Sequence, residues 1–99
     1  MKAWLLLPML LPLSAPAWAQ EPAAGRALAA TCASCHGSDG RARGAAMPPL
    51  AGLKADVMLA RLGEYRAGTR PGTVMPQIAR GYSEAQLRLV ARYFEQVAP

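Results

Sequence analysis

The sequence predicts a small all-α domain that folds around a bound group, following an N-terminal export leader. Three observations predict it. Strand formers are scarce: after residue 19, Val and Ile occur only at positions 57, 74, 78, 90 and 97, and nothing alternates with period two. Three stretches carry helical spacing or helix-boundary residues. Finally, the 99 residues are 53% apolar, but 17 of the apolar residues after position 19 are Ala, which fill little volume. A chain this short with so few large side chains needs a staple, metal or cofactor to hold its shape. The same length excludes a second domain or a nucleotide-binding sheet.

The leader is read over residues 1–19. Met1-Lys2 is a short basic start, Trp4 to Leu13 an apolar run, and Ala17 and Ala19 stand at the −3 and −1 positions of a cut before Gln20. A retained membrane anchor is the rival, but the run is about half the roughly 20 apolar residues a spanning helix needs. Pro8 and Pro12 also interrupt it. Residues 20–99 are then one domain with a net charge of +4, exported to the periplasm, with no membrane span once the leader is cut.

The first helix is expected from Pro22 to about Thr31, with Pro22 in the first turn and Ala-rich sequence behind it. A second runs from Ala55 to Ala67 and stops at Gly68. Met58, Leu62 and Tyr65 share one of its faces, with Leu59 beside them. The third has the clearest start: Ser83 as cap, Gln86 at the matching box position, and Tyr82 placed to staple onto Leu87. Leu87, Val90, Ala91 and Phe94 form its stripe, through to about Val97. Two Gly/Pro-rich loops, 37–54 and 69–81, join the helices. Loops this long in so small a chain imply that they wrap something.

What they wrap is indicated by Cys32-Ala33-Ser34-Cys35-His36. C-x-x-C-H is the attachment motif of c-type haem. Two thiols three residues apart on a helical turn lie on one side, placed to add to the two vinyl groups of a porphyrin. The adjacent His supplies a nitrogen to the iron from the proximal face. Three other readings compete. Zinc would want four ligands, and His36 is the only His. A thioredoxin-like pair would sit in a βαβ setting, and a structural C-x-x-C disulfide would close too small a loop to stabilise much.

The iron's sixth position falls to a thioether, to Lys54 or to nothing. Met58 lies on an apolar stripe, where Met is usually core filler. Met47 is eleven residues after His36 and just before Pro48-Pro49, which keeps it on the proximal side. Met75 lies 39 residues beyond His36, in Gly72-Thr73-Val74-Met75-Pro76. A loop there can carry a side chain to the far face while Pro76 fixes its approach. Met75 is therefore the candidate distal ligand. The other nitrogen of His36 needs a carbonyl or carboxylate. The Pro48 carbonyl is the candidate acceptor, in a segment otherwise read as a rigid turn, and Leu50 would then press on the porphyrin face.

These residues carry a resemblance. Cys32–His36 with Gly37, Pro48-x-Leu50-Ala51-Gly52, the Met75-Pro76 segment and a C-terminal helix resemble a class I cytochrome c over the whole chain after the leader. The resemblance implies three to four helices wrapped around one haem c, covalently attached through Cys32 and Cys35. His36 would be proximal, Met75 distal and Pro48 the partner of His36. It also implies that the N- and C-terminal helices cross at a Gly on one and an aromatic on the other, here Gly25 against Tyr93 or Phe94. Ala29 stands near the place where the family often has an aromatic. More narrowly, Thr73 to Ser83 and the helix ending Arg92-Tyr93-Phe94 are similar to the haem domain of the cytochrome subunit of flavocytochrome c sulfide dehydrogenase. That resemblance implies a monohaem electron acceptor for a flavoprotein that oxidises sulfide.

Function follows from ligation. Iron held by His and Met has no vacant position for a substrate and suits outer-sphere transfer of single electrons. The acids Asp39, Asp56, Glu64, Glu84 and Glu95 are scattered and make no acid–base pair, so an enzyme is not expected. The alternative, a haem enzyme or ligand sensor with an open distal site, would bind cyanide readily in its ferric form. Arg41 and Arg43 follow the motif while Arg70 and Arg80 flank Met75, and these four are expected to steer docking onto an acidic redox partner. Nucleic acid is excluded as a partner by export and by the lack of aromatics among the basic residues.

Overall fold

The computed structural model describes residues 11–99 and is helical, with no strand among them. Its elements are α1 (Ala17–Ala29), a 3₁₀ turn (Ala30–Cys32), α2 (Ala33–His36), a second 3₁₀ turn (Ser38–Gly40), α3 (Ala55–Ala67), α4 (Met75–Arg80) and α5 (Glu84–Gln96). Most of the leader, residues 1–10 with the basic start and much of the apolar run, lies outside the described residues. Leu11, Leu13 and Trp18 are largely exposed.

α1 begins five residues earlier than its sequence suggests, so Pro22 lies inside it instead of in its first turn. The Pro22 nitrogen has no hydrogen for the Trp18 carbonyl, which costs that turn one bond. Two contacts hold the turn regardless: Gln20 Nε2 donates to Ala15 O at 3.1 Å, and Glu21 pairs with Arg92 of α5.

The α1–α5 crossing is set by the size of Gly25. A Cβ there would stand 2.7 Å from the Leu89 carbonyl oxygen and 3.3 Å from Tyr93 Cβ, so only Gly lets the two backbones approach this closely. This is the Gly-against-aromatic crossing expected from the sequence. Beside it Ala29 is buried, and a cavity of about 270 Å³ opens among Arg26, Ala29, Ala33, Asp39, Tyr93 and Phe94. It lies where a larger residue at position 29 would reach.

α5 starts with the expected reciprocal cap. Gln86 N donates to Ser83 Oγ at 3.1 Å, and Ser83 N donates to Gln86 Oε1 at 2.9 Å. Leu87, Val90, Ala91 and Phe94 are all buried on the face it turns inward. Tyr82, the residue before the cap, sends its hydroxyl to Thr31 Oγ1 at 2.6 Å. α3 has the expected bounds and buries Met58 beside Ala29, Val90, Ala91 and Phe94. Leu28, Cys32, Leu50, Leu53, Leu59, Leu62 and Tyr93 pack half-buried around this cluster. Phe94 is the one large side chain among the described residues that is wholly excluded from water.

The second long loop is interrupted. Residues 69–81 read as Gly/Pro-rich loop, yet Met75–Arg80 is a short helix with Pro76 in its first turn. Pro suits that place because the first helical nitrogens have no partner in any case. Gly81 follows the helix.

Candidate functional site

Cys32 closes the first 3₁₀ turn, and Cys35 and His36 complete α2. The two thiols are free, Cys35 exposed and Cys32 half-buried. Burial pushes the Cys32 thiol above its ordinary value of 9.0. A dithiol redox pair needs the opposite, an attacking thiol lowered by positive charge or a helix N-terminus. Among the described residues no three His, Cys, Asp or Glu side chains converge as a zinc centre requires.

His36 is 7% exposed, and the loop beyond it is folded to reach it. Gly37, at φ +84°, turns the chain out of α2 directly after the imidazole. Gly40, at φ +74°, then packs where no side chain fits: a Cβ would lie 2.8 Å from both Leu50 Cβ and Phe94 Cε1. Its carbonyl accepts from Leu50 N at 2.8 Å and from Ala51 N at 3.2 Å, which draws residues 48–51 back against the motif. The Pro48 carbonyl is thereby set 2.8 Å from His36 Nδ1. A carbonyl can only accept, so Nδ1 carries the proton and the lone pair of the neutral ring is on Nε2. That is the tautomer a metal-binding imidazole requires. Gly52 N donates to Phe94 O at 2.8 Å and ties the same loop to α5.

The structure thus gathers Cys32, His36, Pro48 and Leu50 at one side of the core, with Cys35 on the surface next to them. Met75 is on a separate segment, half-buried at the first residue of α4. A Cβ on Gly72 would lie 3.0 Å from Tyr65 Cε1 and 3.2 Å from Pro76 Cδ, so the approach to Met75 is packed onto α3. Val74 is 58% exposed and Ile78 37%. Met58 is core, Met47 lies half-buried in the bend before Pro48, and Lys54 is exposed at the start of α3.

The donor set fits a covalently attached porphyrin. It offers two unpaired thiols one turn apart, a fixed imidazole with a free lone pair, and half-buried apolar side chains at Leu50, Leu53, Leu62 and Met75. Of the four arginines around the motif and Met75, Arg43 is exposed and the other three have partners within the chain. Arg41 Nε donates to Ala98 O at 2.9 Å, Arg70 pairs with Glu64 at 3.1 Å, and Arg80 Nε reaches Arg66 O at 3.5 Å.

Two hydroxyl contacts around the site are not apparent from sequence. Tyr82 Oη and Thr31 Oγ1 are 2.6 Å apart, and Tyr93 Oη donates to Asp39 Oδ1 at 2.6 Å. Each spans more than 50 residues, and no local spacing announces such a pair. α4 did carry a signal: Pro76 followed by Gln77-Ile78-Ala79-Arg80 and then Gly81 has the helix asymmetry of Pro early and Gly late.

Comparison with known proteins gives a family model described as cytochrome c, matching residues 22–98. The chain is 44% identical over 69 residues to the thiosulfate dehydrogenase electron acceptor of Stutzerimonas stutzeri, covering 67% of this chain and 32% of that one. It is 34% identical over 70 residues to the cytochrome subunit of sulfide dehydrogenase of Chlorobaculum tepidum, covering 71% and 63%. Among solved structures, a cytochrome c4 of Acidithiobacillus ferrooxidans superposes with a TM-score of 0.63 at 39% identity, over 67% of this chain and 38% of that one. The chain therefore spans roughly one to two thirds of the length of these relatives.

Proposed function

The chain belongs to the cytochrome c family, and on that footing we propose that it moves single electrons by outer-sphere transfer, with His36 the proximal and Met75 the distal ligand of its haem. The family membership implies one haem c, covalently attached, and Cys32 and Cys35 have the spacing to hold it. When bound, that group supplies an iron that cycles between ferric and ferrous states. The observation that carries the reading is the His36 Nδ1 contact with the Pro48 carbonyl, which leaves the Nε2 lone pair available to a metal. Leu50 would pack against the bound haem beneath His36, and the Met75 thioether would supply the second ligand. With His36 and Met75 both holding the iron no position would be left for a substrate, which suits an electron carrier and not an enzyme.

The leader is cut after Ala19 and the protein works in the periplasm. Cutting there removes the first three residues of α1 and leaves Pro22 in its new first turn, where a missing N–H costs nothing. No helix among the described residues is long and apolar enough to cross a membrane.

The donor is a flavoprotein sulfide dehydrogenase. The relative from Chlorobaculum tepidum is by name the cytochrome subunit of a sulfide dehydrogenase, and that from Stutzerimonas stutzeri the electron acceptor of a thiosulfate dehydrogenase. Both names pair the relative with a dehydrogenase of reduced sulfur, one as its cytochrome subunit and the other as its electron acceptor. The 44% identity to the latter makes a thiosulfate dehydrogenase the second candidate.

The exported protein should weigh one haem more than its polypeptide, and Cys32→Ala with Cys35→Ala should remove that mass. Met75→Ala should keep the attached haem, lower the reduction potential and let ferric protein bind cyanide. Unchanged potential and cyanide affinity would remove Met75 from the iron. Reduction by sulfide with its flavoprotein, set against thiosulfate with its dehydrogenase, separates the two donors.

A further inference from the structure

We propose that Tyr82 is a positioning residue for the distal ligand, its hydroxyl tying the segment that carries Met75 to the helical run that carries Cys32, Cys35 and His36. The inference rests on the reading that Met75 binds the iron and concerns what holds it there.

α4 is six residues long, below the length at which a helix sustains itself, so Met75 is held by what its flanks are fastened to. The N-terminal flank is packed, through Gly72, onto Tyr65 and Pro76. At the C-terminal flank Ala79 is buried, Gly81 N donates to Ile78 O at 3.0 Å, and the chain then reaches Tyr82. There the phenol oxygen lies 2.6 Å from Thr31 Oγ1 and 3.4 Å from the Leu28 carbonyl. Thr31 is the residue before Cys32. Among the described residues this is the one bond between side chains that joins the motif-bearing helices to the Met75 segment. The others link Arg70 to Glu64, Arg92 to Glu21 and Tyr93 to Asp39.

The tether is separable from neighbouring structure. The start of α5 is capped by Ser83 and Gln86, which do not involve the phenol oxygen. Tyr82→Phe therefore keeps the half-buried ring and the cap while deleting the hydroxyl's bond to Thr31 and its longer contact with the Leu28 carbonyl. Thr31→Val deletes the other partner, and Thr31→Ser keeps it.

The experiment titrates imidazole into the ferric holoprotein, following displacement of the methionine sulfur by its visible absorption, with helix content measured by circular dichroism. Tyr82→Phe should bind imidazole about five- to tenfold tighter, the weakening expected when one hydrogen bond stops holding the competing ligand. Thr31→Val should shift affinity in the same direction, the double variant should add nothing to Tyr82→Phe, and Thr31→Ser should behave as wild type. Helix content should not change. Wild-type affinity in both single variants, or effects that add in the double variant, would overturn the tether. Met75→Ala is the control for the underlying reading. If it opens the site while Tyr82→Phe does not, the tether alone fails; if Met75→Ala itself changes neither absorption nor affinity, the distal assignment fails and the tether with it.

Discussion

The two sides of the site are built from different materials. Beneath His36 the chain is closed by main-chain bonds: Pro48 O to the imidazole, Leu50 and Ala51 N–H to Gly40 O, and Gly52 N–H to Phe94 O. Around Met75 the segment is short, it leaves Val74 and Ile78 exposed, and side chains fasten it, Tyr65 at one flank and Tyr82 at the other. Backbone donors and acceptors survive most substitutions, whereas a bond made by a side chain disappears with one. The proximal half should therefore tolerate most substitutions outside its glycines and His36, and the distal half is where a substitution should shift Met75, the proposed ligand, without unfolding the domain.

A matched pair of substitutions breaks or sharpens this contrast. Gly40→Ala puts a Cβ 2.8 Å from Leu50 Cβ and from the Phe94 ring, at a φ of +74°. It should cost about 3 kcal/mol or more, read by denaturant unfolding of the holoprotein, and should loosen the hold of Pro48 on His36. Gly72→Ala meets only the Tyr65 and Pro76 rings, at 3.0 and 3.2 Å. The clash is offset by the stiffer unfolded chain, so the stability change should stay within about 1 kcal/mol while imidazole affinity shifts. Equal losses of stability at the two glycines would erase the contrast.

The smallest effect is expected at Tyr93, whose hydroxyl ties α5 to Asp39 in the proximal loop. That hydrogen bond, with a lesser part from burial, raises the phenol above its ordinary value of 10.0. A raised folded-state value means that the bond stabilises fully below the unfolded value and is lost as pH climbs through the folded one. Tyr93→Phe should therefore cost about 0.5 kcal/mol near neutrality, and the gap in melting temperature should close above pH ~10. A gap that stays constant into the alkaline range would mean that the bond contributes nothing.

The same contrast governs how much was legible in the sequence. The proximal half is compact along the chain. His36 and Pro48 are separated by 12 residues, Gly37 and Gly40 mark the turns, and the motif names its own chemistry, so the Pro48 contact was readable. α3 and α5 were readable through Gly68 and the Ser83–Gln86 cap, both local devices. The distal half was not. Six residues give too little periodicity to separate α4 from a Gly/Pro loop, and a bond between Thr31 and Tyr82 has no spacing rule. The early start of α1 was missed because Pro22 is a good first-turn residue, and the Glu21–Arg92 pair that favours the longer helix reaches across to α5, beyond any local spacing.

Phe94 has a wider consequence. An interior with a single large side chain fully out of water among the described residues gives the bare polypeptide little reason to condense. A covalently attached porphyrin would add the apolar bulk that this interior lacks, and Cys35, at the surface, is open to that attachment.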